Sequence, residues 1–297
     1  VHCADGAILQ SAGARDSARA QSLGPAGQAY DSYDAVIADP AVDVVYISLN
    51  NDAHLPWTLA ALDAGKHVLC EKPLGLTAAE VERMASAAER SGRLVVEATW
   101  SRWHPRTRRA EALIATGAIG TVTTVDSGFT FPAVPADNYR LDPAKGGGAL
   151  YDLGPYALGA ALWAVPDGSI EVTSTQVTRH LGGVDLTTRA ELRVGSAAVS
   201  SRMSVDEPDG QWLRVTGEAG TLSLEPPAHT SWYEASSLSA TTADGHMVLQ
   251  FPPVDPYQVM VEHVSRAIRG DGSAYVLPLG DSLRVARAID AVREASR

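Results

Sequence analysis

The first hundred positions alternate short apolar runs with stretches of helical periodicity, the pattern of successive βα units and a parallel sheet. "AILQSAGA" reads as a strand, and a helix over 17–23 follows it, with Asp16 placed to cap the first turn. "VDVVYISL" (Val42 to Leu49) is largely apolar after Asp43, as a central strand covered on both faces should be. A helix with Pro56 near its first turn comes next, then the strand "HVLC". A helix announced by the capping box Thr77-x-x-Glu80 and the strand "RLVVEAT" complete the series.

Beyond a helix over 105–115 the period changes. "GTVTTVDSGFTF", "EVTSTQVTRHL", "DLTTRAELRV", "AAVSSRMSV" and "QWLRVTG" alternate apolar with polar and β-branched residues, the period of antiparallel strands. Gly182-Gly183, Gly195-Ser196 and Asp209-Gly210 supply turn chemistry between them. A helix over 149–164 interrupts this sheet, and two helices over 257–268 and 281–295 close the chain. The reading is an α/β unit over 1–99 followed, over 100–297, by an α+β unit built on an open, mostly antiparallel sheet. No internal repeat or low-complexity segment is evident.

At 297 residues, 45% of them hydrophobic, the chain has material for about two domains and a sizeable core. A net charge of -11 disfavours polyanionic partners, so nucleic acid and anionic membrane surfaces are not expected. Cys3 and Cys70 lie far apart and outside any CxxC pattern, which predicts neither a disulfide framework nor a zinc site and fits a reducing cytoplasm. No run approaches the roughly 18 apolar residues of a membrane span, and the N-terminus lacks the basic-then-apolar order of a signal peptide.

Three groups of residues carry candidate chemistry. Glu71-Lys72-Pro73 follows "HVLC" directly, and ligands of parallel sheets bind beyond the carboxyl ends of the strands. Pro73 fixes its own φ and biases Lys72 toward an extended conformation, which aims the lysine in one direction; a surface salt bridge in a βα loop is the plainer alternative. In "GGGALYDLGPYALGAALW", Asp152 and Tyr156 stand four residues apart on one helical face, a carboxylate beside a phenol. They form either an acid-base set or a helix-terminal carboxylate with a core tyrosine. In "GARDSARA", Arg15 and Arg19 stand where nicotinamide-binding α/β proteins select between NAD and NADP, an arginine there favouring the 2′-phosphate of NADP. Asp16 comes after Arg15 and serves as well for a helix cap.

His54 in "NNDAH" follows a strand and faces a possible cofactor, whereas His67 and His104 read as structural. Arg102, Arg106, Arg108 and Arg109 look like the solvated side of a helix, with Arg102 near enough to the strand end to face a substrate. No metal site is expected.

Together, "HVLCEKP", "VDVVYISLNNDAH", "EATWSRWHP", "GAIGTV" and "GGGALYDLGPY" resemble, in order and spacing, the Gfo/Idh/MocA family of nicotinamide-dependent oxidoreductases. The likeness extends to "DSLRVARAIDAV". The tyrosine in the helical motif is most similar to the branch holding dimeric dihydrodiol dehydrogenases, D-xylose 1-dehydrogenases and glucose-fructose oxidoreductase. The resemblance implies a Rossmann domain, here lacking its first βα unit, followed by an open antiparallel sheet domain that pairs chains into a homodimer or homotetramer. It implies hydride transfer between a C–H of a sugar or cyclic diol and NADP, or NAD.

In that frame Tyr156 is the acid-base group, and Lys72 contacts the same hydroxyl and lowers the phenol's pKa by its charge. Asp152 orients substrate or lysine, and Glu71 holds the loop. Arg15 takes the 2′-phosphate with Arg19 nearby, and Asn51, His54, Pro73 and Arg102 complete the cofactor contacts. Trp100, Tyr139 and Arg140 are the expected substrate contacts. Two departures bear on this. The family's Gly-x-Gly-x-x-Gly turn, with roughly 25 residues of its βα unit, is not in this sequence, which favours a fragment over a chain that has lost its pyrophosphate cradle. Asn50 stands where relatives often carry proline. A non-catalytic nicotinamide-binding regulator and an inactive remnant are the competing readings.

Overall fold

A computed structural model describes all 297 residues. In the first part, β1 (Ala12–Gly13) and β2 (Ala29–Tyr30) form a short parallel pair, with α1 (Ser17–Ser22) between them and α2 (Tyr33–Ala38) after them. Asp16 caps α1 as expected, its Oδ1 accepting the Arg19 N–H at 2.7 Å. A separate parallel sheet follows, in the order β3 (Val44–Ile47), β4 (His67–Cys70), β5 (Val95–Glu97), interleaved with α3 (His54–Asp63) and α4 (Ala78–Ser91). Thr77 accepts the Glu80 N–H at 3.2 Å, while the Glu80 carboxylate reaches past the usual capping-box position to the Leu76 N–H at 2.8 Å.

Two expectations are corrected here. Of "AILQSAGA" only Ala12 and Gly13 are strand, because β2 offers them just two paired positions. Nor is β3 central: it is an edge, β4 takes the middle, and an open cavity of about 880 Å³ separates β3 from the β1–β2 pair. Val44 and Val45 are accordingly only half-buried and Tyr46 is exposed, whereas Val68, Leu69 and Cys70 of β4 are buried on both faces. Val68 and Cys70 pack on α3 and α4; Leu69, pointing the other way, meets Met260 and Val264 of α7 (Pro256–Ile268).

In the second part, α5 (Pro105–Ala115) and α6 (Ala149–Ala164) lie in chain order around β6 (Val122–Thr130). The strands β7 (Ile170–Arg179), β8 (Asp185–Val194), β9 (Ala197–Ser204) and β10 (Gly210–Gly217) follow, then β11 (Gly220–Leu224), β12 (Ser236–Thr242) and β13 (Gly245–Phe251). They make one eight-stranded sheet, ordered β13-β12-β11-β10-β6-β9-β8-β7. All neighbours are antiparallel except β6 and β9, which run parallel. Gly183 and Gly195 take positive φ in the tight turns flanking β8, as their sequence predicts. Asp209-Gly210 is no hairpin turn, since β6 lies between β9 and β10. The apolar face of the sheet is covered by α6 and α8 (Leu279–Ala295) in the largest core cluster. No helix is long and apolar enough to cross a membrane.

Candidate active site

The loops leaving the carboxyl ends of β3, β4 and β5 open toward the N-terminus of α6, and the crevice between them gathers most of the candidate residues. The segment after β4 is pinned along its length. Glu71 Oε1 accepts the Tyr46 hydroxyl at 2.6 Å, and its Oε2 accepts the Lys72 backbone N–H at 3.2 Å. The Lys72–Pro73 peptide is cis, the Pro73 carbonyl faces His54 Nδ1 at 2.8 Å, and the Leu74 N–H donates to Glu97 Oε1 at 3.0 Å. Glu97 is buried, and burial pushes its carboxyl pKa up.

Held in this way, Lys72 reaches the first turn of α6. Its ammonium donates to Asp152 Oδ1 at 2.8 Å and to the Asp152 carbonyl at 2.7 Å. Arg140 Nε donates to Asp152 Oδ2 at 2.6 Å, so one buried carboxylate is shared by two cations. Burial alone would raise the Asp152 pKa; the charges of Lys72 and Arg140 and their hydrogen bonds outweigh it and hold the group at about 2. The triad keeps one net positive charge.

One turn further along α6, Tyr156 is buried in a wall of aromatic rings. Its ring lies edge-on to Phe129 at 5.5 Å and to Trp100 at 6.3 Å, and 6.3 Å from His229. Trp100 stacks on Tyr257 at 5.0 Å and continues to the half-exposed Trp232 at 6.4 Å. Lys72 Nζ sits 5.2 Å from the Tyr156 ring centroid, over its face. The phenol pKa is not lowered as the resemblance implies: burial, followed by Tyr257, Glu71 and Asp152, drives it well above its ordinary value. Phe129, His229, Trp232 and Tyr257 escaped the sequence reading. Phe129 reads as one more strand residue, and Trp232 stands in a polar stretch with no periodicity.

The remaining candidates divide by geometry. Tyr139 and Arg140 sit at the crevice, the guanidinium 4.8 Å from the Tyr139 ring, although Arg140 is committed to Asp152. Asn51 is buried and its Nδ2 donates to the Gly146 carbonyl at 2.8 Å, tying the β3 loop to the glycine run. His54 is corrected: it is fully buried, with its ring nitrogens against the carbonyls of Pro73 and Leu49, and it braces the lysine loop instead of facing the crevice. Arg102 is corrected too, because Glu111 and Asp281 hold its guanidinium inside the protein. Arg15 and Arg19 are exposed and in no ion pair, which suits them to an anionic group at the end of β1. Gly146, Gly147 and Gly148 are filled by protein: a Cβ at each would strike Leu76, Arg140 or Asp185, so this run cradles no phosphate.

The parallel sheet, the crevice at its carboxyl ends and the sheet domain facing it define a Rossmann-type oxidoreductase. The chain belongs to the Gfo/Idh/MocA oxidoreductases: residues 4–99 match the oxidoreductase family, NAD-binding Rossmann fold, and residues 107–223 match the GFO/IDH/MocA C-terminal domain. It is 37% identical over 293 residues to a D-xylose 1-dehydrogenase (NADP(+)) of Haloferax volcanii, covering 98% of this chain and 89% of that one. It is 30% identical to the human trans-1,2-dihydrobenzene-1,2-diol dehydrogenase over 95% of this chain and 86% of the relative. Among solved structures, a 3-ketoreductase from Actinomadura kijaniata in complex with NADP and TDP-benzene superimposes with a TM-score of 0.85 at 26% identity, covering 95% of this chain and 88% of that one. The protein is a nicotinamide-dependent oxidoreductase.

Proposed function

We propose that the protein is an NADP-preferring dehydrogenase that oxidises a hydroxyl carbon of a sugar or cyclic diol, or reduces the matching carbonyl. The observation that carries this reading is the ammonium of Lys72, fixed by Asp152 at 2.7 and 2.8 Å and seated over the Tyr156 ring. The residues present fit a dinucleotide at its two ends, Lys72 in the crevice and Arg15 with Arg19 at the end of β1. When bound, the nicotinamide supplies the hydride acceptor or donor.

The chain's own part is binding and proton handling. Lys72 points a charged N–H donor at the substrate oxygen and stabilises negative charge developing there, while Asp152 and Arg140 keep the ammonium from swinging away. Tyr156 holds its proton at neutral pH, since burial raises its pKa, and it gives that proton to the carbonyl oxygen in the reducing direction. For oxidation it must first be deprotonated, after which it accepts the hydroxyl proton. The half-exposed Trp232, backed by Trp100 and Tyr257, offers an apolar surface to the C–H face of a ring-shaped substrate. The relatives' names, D-xylose 1-dehydrogenase and dihydrobenzenediol dehydrogenase, support this substrate class.

The domain division near Thr99, pairing of chains through the exposed face of the eight-stranded sheet, and a cytoplasmic location belong to the same reading. Both cysteines are free, which suits a reducing compartment. The test is the absorbance of reduced nicotinamide with pentoses, hexoses and cyclic diols. Lys72→Met and Tyr156→Phe should each lower kcat/KM by about a hundredfold or more. Unchanged turnover in both would remove the assigned roles.

A further inference from the structure

The helix carrying Asp152 and Tyr156 has no cap of its own. At the position where serine, threonine or aspartate normally accepts the first N–H groups stands Gly148, with φ 116° and no side chain to offer. A carboxylate from the distant sheet replaces it. Asp185, the first residue of β8, accepts the Leu150 N–H at 2.8 Å and the Thr188 hydroxyl at 2.7 Å, both on Oδ2. A Cβ at residue 148 would overlap Asp185 Oδ1, so the glycine is what admits the carboxylate.

The dependence of α6 on this cap follows from its composition. Gly154, Pro155 and Gly159 weaken it intrinsically, and most of it is buried, so water cannot satisfy free N–H groups at its start. Its other end is held in the complementary sense: Arg284 donates to the carbonyls of Leu162, Val165 and Gly168. The cap also reaches the substrate loop, because the Gly148 N–H donates to the Arg140 carbonyl at 2.8 Å and the Arg140 side chain returns to Asp152.

We propose that Asp185 is a positioning residue for the reaction: by capping α6 from β8 it sets the first turn that places Asp152, and hence the Lys72 ammonium and the Arg140 loop. This rests on the roles given to Lys72 and Asp152 above, and Asp185 itself touches neither.

The experiment compares Asp185→Ala with Asp185→Asn in steady-state kinetics, NADP titration and amide hydrogen exchange. Asp185→Ala should lower kcat by about tenfold, leave the NADP Kd within about twofold, and speed exchange over residues 149–152 by about tenfold. Asp185→Asn keeps an acceptor for Leu150 and should return both kcat and exchange to within about threefold of the parent. A folded Asp185→Ala enzyme with unchanged kcat overturns the proposal, as does an asparagine variant no better than the alanine one. If the alanine variant does not fold, the parent decides: a Leu150 amide exchanging as fast as a frayed terminus removes the cap. Equal turnover by the parent and Lys72→Met would sink the assigned reaction instead, while the exchange data still judge the cap.

Discussion

Lys72 gives two of its ammonium protons to one residue, Asp152, at the carboxylate and at the peptide oxygen. The pair crosses from the loop after β4 to the first turn of α6 and, with the Asn51 bond to the Gly146 carbonyl, joins the Rossmann domain to the sheet domain at the crevice. Removing the carboxylate strands two cations. Asp152→Ala should destabilise the fold by about 3 kcal/mol, with Asp152→Asn milder, as read by urea unfolding. A loss smaller than that of an ordinary surface substitution would show that solvent already screens the triad.

The same group makes stability sensitive to acid. Its folded pKa of about 2 lies below the ordinary value of 3.8, so its contribution is complete above 3.8 and fades as pH falls toward 2. The contribution amounts to about 2 kcal/mol. The stability gap between the parent and Asp152→Asn should therefore shrink as unfolding is measured from neutral pH down to pH of about 3. A gap independent of pH contradicts the depressed pKa.

Activity should respond to base. Because burial raises the Tyr156 pKa, the phenolate needed for oxidation is scarce at neutral pH. Oxidation should accelerate steadily through the alkaline range, while carbonyl reduction should not. Initial rates in both directions over one pH series would reveal it, and identical profiles would assign the proton to another group.

Coenzyme preference should follow Arg15. Arg15→Ala should raise KM for NADP about tenfold and leave that for NAD within about twofold, the loss expected for one charge-assisted phosphate contact. Equal effects on the two coenzymes would place the arginine away from the 2′-phosphate.

The buried His54 supplies a prediction about the lysine loop. His54→Leu leaves the carbonyls of Leu49 and Pro73 facing an apolar side chain, at a cost of about 2 kcal/mol and roughly 5 °C in Tm. A neutral imidazole donates to one of the two, so a variant as stable as the parent in a thermal melt would mean that carbonyl finds another donor.

Much of this was legible because it rests on local rules. Asp16 and Thr77 announce their helices by cap chemistry, and α5 and α6 occupy the ranges their periodicity predicts. Lys72, Asp152 and Tyr156 stood out as polar groups in apolar surroundings. What failed depends on pairing and packing between distant segments. The apolar character of "AILQSAGA" does not reveal that only Ala12 and Gly13 pair, and β12, written "SSLSATT", lacks the apolar content that marks its neighbours. Arg102 looks solvated in sequence until Asp281, far along the chain, closes on it. The resemblance makes Tyr156 a residue governed by lysine, yet the rings packed against it, Trp100, Phe129 and His229, come from three separate segments.

Two tethers cross the crevice side by side, Lys72 to Asp152 and Asn51 to the Gly146 carbonyl, and both are made by loops at the carboxyl ends of the parallel strands. Opening the crevice therefore means breaking an ion pair and a buried amide bond together, which makes it a concerted event and not a drift of one wall.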